Sequence, residues 1–515
     1  MKKIEGPSYI RFVLVLACLQ SVSYGQNESS NRERGARGQN SGSRLGNYEK
    51  PPPANDIPAH LYDIVLGRPT DTSIEVRILQ NANGKGTIRY REENSDDVKQ
   101  SEVVEFTSGK PFGIQLEKLK PNTRYLYRWC FANEAKQKET TSDEYTFHTA
   151  RASGSSFAFS VTADSHLDEN SSGAVYSRTL LNALADRPDF HFELGDTFMT
   201  GKYVRPELSY PQYLAQRYYM SQLCSSAPLF FVLGNHDGES AGRGSIAWAA
   251  TTRKSLFANP SPNRFYTGNT QKEPEVGLPE NYYGWMWGDA QFLVLDPYRY
   301  TTSKRRGGRG QRGPANAAGN AISGANEDTA STNGANWYWT LGEEQYEWLK
   351  LELRKPAKYR FVFIHHLVGG TVQNQRGGVE VANLWEWGGK SLDGKYEFNT
   401  YRQGWGKPIH QMFVDAGVSV VFHGHDHFFA KQELDGIIYQ EVPQPSHARV
   451  GSTRSAAEYG YLMGDFQPSS GYVRVRVEPE AARIDYVRTY VGKQDANRNG
   501  EVSYSYVVSP RSSPR

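Results

Sequence analysis

Thiols are scarce in this chain: 515 residues hold three cysteines, Cys18, Cys130 and Cys224. So few argue against a disulfide framework of the kind that holds small secreted domains together. They also argue against a structural zinc knot built on thiolates. Excess charge is missing as well. A formal balance of +3 at this length supplies no general attraction for nucleic acid. Long apolar runs are absent beyond the first residues, so no later segment reads as transmembrane. The early run "FVLVLACLQSV" is itself too short for a stable anchor. Lys2, Lys3 and Arg11 precede the end of it and the small residues Ser23 and Gly25 follow it, so residues 1–25 read as an export signal. A second reading makes Cys18 the lipid-modified residue of a lipoprotein. In both readings the destination is the periplasm or the exterior.

What is present falls into distinct textures. Residues 26–56, "QNESSNRERGARGQNSGSRLGNYEKPPPAND", carry little to bury and read as a disordered tether. Over 57–150, short alternating runs such as "TSIEVRIL", "GTIRYRE" and "TRYLYRWCF" are broken by turn signals, the pattern of a small antiparallel sandwich. From 151 to 515 strands and helices alternate: "FAFSVTAD", the amphipathic "AVYSRTLLNALAD", "DFHFELGD", the helical "YPQYLAQRYYMSQL", then "PLFFVLGNHD". This is the grammar of βαβ units. A length of 515 residues fits two such domains. The stretch 303–336 is a low-complexity insertion, basic at first and then made of small residues. Near the end, "DANRNGEV" partly matches a calcium-loop spacing, but its strand-like flanks make it a hairpin turn.

The chemistry collects where the apolar strands end. "TADSH" supplies Asp164 and His166, "ELGDTF" Asp196, "LGNHD" Asn235 and His236, "FIHH" His365 and His366, and "GHDH" His425 and His427. In an open α/β sheet these strand ends meet at one crevice. Buried imidazoles and carboxylates are costly unless paired, and a metal ion is one such partner. The mixed set suits zinc, iron or manganese. Seven ligands (Asp164, His166, Asp196, Asn235, His365, His425 and His427) exceed one tetrahedral ion and suit two ions sharing a bridge. Gly195, Gly234 and Gly424 stand just before ligands, where a tight strand end favours a residue without a Cβ.

These ordered motifs resemble the metallophosphoesterase family, the calcineurin-like phosphoesterases, over about Ser156 to Val491. The resemblance includes the purple acid phosphatases. It implies an α/β fold, a β-sandwich flanked by helices. The preceding segment resembles the N-terminal sandwich of plant-type purple acid phosphatases, and "LKPNTRYLYRWCF" a fibronectin type III turn and strand. By resemblance, Asp164, His166 and His427 hold one metal, Asp196 bridges, and Asn235, His365 and His425 hold the other. The implied cofactors are two divalent or mixed-valence ions of iron, zinc or manganese. The implied substrate is a phosphate ester, attacked by an activated water, with His236 facing the phosphoryl group. Purple acid phosphatases place tyrosine three positions after the bridging aspartate, where this chain has Met199, and glycine where it has His166. The iron–tyrosinate chemistry is therefore not expected.

Other residues carry lesser expectations. His366 is either a ligand in place of His365 or a neighbour facing substrate. Arg299 and Trp405 are candidate substrate contacts, and Trp285 or Trp287 candidates to line the crevice. Asp237 reads as a turn cap, while His191, His410 and His423 read as packing or support. Two other functions fit the same residues: a nuclease guided by the basic insertion, and a non-catalytic binding protein on the same fold.

Overall fold

The computed structural model describes residues 48–134, 138–241, 244–301, 336–368, 376–449, 452–492 and 495–511. The expected export signal with Cys18, the tether as far as residue 47, and all of the low-complexity insertion but Asn336 lie outside the described residues. Among those described, no helix is long and apolar enough to cross a membrane.

The alternating pattern before residue 150 folds as expected into β-structure. Strands Tyr62–Gly67, Ile74–Gln80 and Phe112–Leu116 form one antiparallel sheet. A second sheet is built on Gly84–Glu92 and Arg124–Asn133. Ile64, Val76, Ile78, Ile88, Trp129 and Phe147 fill the space between them. The Pro-initiated turn before Arg124 is held by Tyr125, whose hydroxyl accepts from the Lys120 N–H at 2.8 Å. That is the hydrogen bond of a tyrosine corner.

The remainder is two sheets packed face to face with helices outside both. The first sheet takes β1 (Phe157–Thr162), β2 (Phe190–Glu193) and β3 (Leu229–Phe231), joined in parallel and extended by the C-terminal antiparallel strands. The second takes the hairpin β4 (Tyr283–Trp287) and β5 (Ala290–Val294), then β6 (Tyr359–Phe363) and β7 (Val420–His423) in parallel with β5. Continuous apolar runs make these strands, because both of their faces are covered. Phe159, Phe192, Phe292, Phe363 and Phe422 pack between the sheets, and the rings of Phe192 and Phe363 stack 3.7 Å apart. Truncating a fully buried ring of this kind to alanine costs about 3–5 kcal/mol. Helices α1 (Gly173–Ala185) and α2 (Tyr210–Cys224) cover the first sheet, and α3 (Glu343–Glu352) and α4 (Ile409–Ala416) the second. Ser172 caps α1 by accepting from the Val175 N–H. "DANRNGEV" forms a turn between the last two strands, where Asn499 pairs with Asn182 of α1.

Helix α2 also joins the N-terminal β-rich region to the rest. Its Arg217 is fully buried and donates to the carbonyls of Leu256, Asp63 and Arg77. Tyr127 returns a hydrogen bond to the Ser225 carbonyl at 2.6 Å. Cys130 and Cys224 are both buried and free.

His191 on β2 is packed, as its alternation implies, with the hydroxyls of Ser160 and Thr162 on its two nitrogens. Burial pushes its pKa down to about 3. The folded state therefore refuses a proton that the unfolded chain accepts below the ordinary histidine value, and stability falls as pH drops from about 6.5 towards 3. His191→Gln, whose amide also bridges two hydroxyls, should show an acid limb shallower by up to about 1.4 kcal/mol per pH unit. Chemical denaturation across that range checks this; identical limbs would contradict it.

Candidate metal centre

The parallel strands of both sheets end at one rim, and five of them send a candidate ligand loop from there. Asp164 follows β1, its N–H donating to the Gly195 carbonyl at 3.0 Å. Asp196 follows β2, Asn235 and His236 follow β3, His365 follows β6, and His425 and His427 follow β7. Close approach of these loops explains the glycines. A Cβ on Gly195 would lie 2.4 Å from the Gly234 nitrogen, and one on Gly234 would lie 2.1 Å from the Asp196 nitrogen. Five of the seven expected ligands have left-handed backbone: Asp164, His166, Asp196, His425 and His427. Each such non-glycine residue costs on the order of 1–3 kcal/mol and persists only where its surroundings impose it.

Two groups of ligand atoms result, Asp164 with His166 and His427, and Asp196 with His365 and His425. The Asp164 Oδ1 lies 3.5 Å from His166 Nε2 and 3.4 Å from His427 Nε2. Asp196 Oδ2 stands between the groups, 3.8 Å from His166 Nε2 and 3.6 Å from His365 Nε2. Asp164 Oδ1, His166 Nε2, Asn235 Oδ1, His365 Nε2 and His425 Nδ1 are buried and make no hydrogen bond. Such orphaned polar atoms are expensive unless a partner reaches them. Two carboxylates, an amide oxygen and four imidazoles match the chemistry of divalent cations. Burial alone would push His166 and His365 down, but Asp164 and Asp168 raise the first and Asp196 and Asp164 the second, each to about 9. Burial raises Asp164, yet the imidazoles of His427 and His365 outweigh it and hold that carboxyl below its usual range.

A second layer fixes these ligands. His166 Nδ1 meets Asp168 Oδ2 at 3.0 Å, and His365 Nδ1 meets the Leu194 carbonyl at 2.7 Å, so both rings present Nε2 to the centre. Asp237 does more than cap a turn. Its Oδ1 accepts from the N–H groups of Thr197 and Phe198, and its Oδ2 from those of Asp196 and Gly234. The His236 N–H donates to Asp196 Oδ1 at 2.7 Å, and the His425 N–H to Asp164 Oδ2 at 2.7 Å. Asp426, between two ligands, is gripped by Arg376 at 2.7 Å and by the Tyr461 hydroxyl at 2.8 Å. His423 supports this loop from below, 2.6 Å from Glu441, whose other oxygen accepts from the Asp426 N–H.

Of the histidine pair, His365 has its Nε2 beside the acids, while His366 stacks on His425 with ring centroids 4.0 Å apart and bonds the Arg376 carbonyl. Two expected substrate contacts need correction. Arg299 is buried, bound by Glu273 at 2.8 Å and Glu239 at 3.3 Å, so reaching a substrate would break both pairings. Trp405 is also buried and stacks on Tyr346 at 4.3 Å, within the aromatic layer over the second sheet. Trp285 and Trp287 lie in the core between the sheets and do not line the crevice. His410 on α4 bonds Tyr439 and Asp435, a structural role. Sequence reading missed Asp168, Lys202, Arg376, Tyr461 and Glu441. Only Asp168, two positions after His166, had a local signal.

A double sheet whose parallel strands end in carboxylate and imidazole loops around orphaned donors defines a metallophosphoesterase. Residues 157–429 match the family model of the calcineurin-like phosphoesterases. The chain belongs to that family and is a metal-dependent phosphoric ester hydrolase. Among solved structures, PhoD is similar at a TM-score of 0.59 and 15% identity, covering 91% of this chain and 94% of that one. A purple acid phosphatase from yellow lupin (Lupinus luteus) seeds is similar at 0.54 and 13%, covering 87% of this chain and 74% of its own. At such identities the likeness is one of fold. Comparison with curated proteins finds none that matches.

Proposed function

We propose that this chain is an exported phosphoesterase with a dinuclear centre. In this reading Asp164, His166 and His427 hold one ion, Asn235, His365 and His425 the other, and Asp196 serves both. The observation that carries it is the set of buried polar atoms without hydrogen bonds at four strand ends, most of them within the two ligand groups that meet at Asp196. When bound, two divalent ions supply an activated water and neutralise charge on the phosphoryl oxygens. The chain's own work is then positioning, which is most of what phosphoryl transfer needs. Asp237 holds the Asp196 loop, Asp168 orients His166, and the Leu194 carbonyl orients His365. His236, half-buried beside Asp196, holds a proton for the leaving oxygen. Export rests on the pattern of residues 1–25. The division at residues 57–150 and 151–515 into an N-terminal sandwich and a catalytic domain is part of the same reading.

Metal removal tests it. Stripping the protein with a chelator should abolish hydrolysis of a chromogenic phosphomonoester or phosphodiester, and zinc, manganese or iron should restore it at two ions per chain. Asn235→Ala should bind fewer ions, and His236→Ala should bind the full number yet turn over about 100-fold or more slowly. Undiminished turnover by metal-free protein would refute the reading.

A further inference from the structure

The turn that follows the bridging loop carries a cation to the other ligand loop. Asp196 lies at the start of that loop, Met199 adopts left-handed backbone, and the turn Thr200–Lys202 comes next. Lys202 Nζ lies 3.1 Å from Asp168 Oδ2, the same oxygen that His166 Nδ1 meets at 3.0 Å. The other oxygen, Oδ1, accepts from the Asn170 N–H at 3.0 Å and the Ser171 hydroxyl at 3.2 Å. Asp168 is thus buried, fully engaged and shared by a ligand imidazole and an ammonium that is 22% exposed.

We infer that Lys202 and Asp168 act as a pair of opposed positioning residues that set the strength of His166 as a metal ligand. This rests on the proposed role of His166 in the first site. Asp168 accepts a hydrogen bond from the Nδ1–H, which leaves the Nε2 lone pair facing the centre and raises its basicity. Lys202 shares that carboxylate oxygen, withdraws part of its charge from the imidazole and adds a positive charge near the cation seat. The second site lacks this arrangement, because His365 leans on the neutral Leu194 carbonyl. The two devices therefore push first-site affinity in opposite directions.

The test is chelator-competition titration with zinc on full-length protein in an Asn235→Ala background, where the second site is disabled. Asp168→Asn keeps an oxygen for Asn170 and Ser171 but offers His166 an N–H, which favours the wrong tautomer. First-site affinity should fall about 10- to 100-fold. Lys202→Met should raise it, on the order of fivefold, and Lys202→Arg should return it to the parent value. A merely structural role would lower affinity in both Asp168→Asn and Lys202→Met. Melting of the metal-free proteins shows whether either variant has lost its fold, and if Asp168→Asn has, the sign of the Lys202→Met change alone decides. Equal signs for the two substitutions, or no change in either, overturn the inference while leaving the site reading intact. No zinc uptake by the Asn235→Ala parent or by the wild type overturns the ligand assignment and this inference with it.

Discussion

Asp196→Asn should lower kcat/KM on a phosphate ester by about 10³-fold or more while leaving the metal-free protein folded. The side chain stands between His166 and His365 at 3.8 and 3.6 Å and accepts the His236 N–H on its other oxygen. Asparagine preserves the shape and one acceptor but removes the charge that stands within 4 Å of both His166 and His365. Metal content should fall together with turnover. Thermal melting of the stripped protein should change little, because the variant relieves the crowding of Asp196 with buried Asp164 and Asp237. A variant that kept two ions and more than a tenth of its activity would refute the bridging role.

Asp237→Ala should destabilise the protein by about 3–5 kcal/mol and abolish activity as well. Four backbone N–H groups, from Asp196, Thr197, Phe198 and Gly234, lose their acceptor at once in a site closed to water. Burial, and then the charge of Asp196, lifts this carboxyl to about 6. It nevertheless remains, because no neutral residue of its size accepts four bonds. His236→Ala is the contrast. The ligand contact at that position is made by backbone, so its stability should move by less than about 1 kcal/mol while turnover collapses. Denaturant unfolding of the two variants side by side separates the roles. Equal stabilities would show that the Asp237 bonds are dispensable.

The seven proposed ligand positions were legible because each follows an apolar run that reads as a buried strand, and because parallel strands bring their carboxyl ends together. The glycines before Asp196, Asn235 and His425 were legible for the same local reason. Arg299 and Trp405 were misplaced by sequence reading. Nothing near "LDPYRY" says that Glu239 and Glu273, from two other loops, will occupy that guanidinium. Asp237 was half understood: a capping aspartate is a local idea, but three of its four partners lie about forty residues earlier.

The sequence by itself determined the family, the types of the proposed ligands and their order along the chain. Those depend on hydrophobic periodicity and on residues only a few positions apart. Tertiary structure decided which histidine of the pair faces the acids, what stands behind each ligand, and that Lys202 reaches Asp168. The physical reason is distance along the chain. Partners tens to hundreds of residues apart meet only once two sheets have packed, and no local pattern records which side chains that packing brings together.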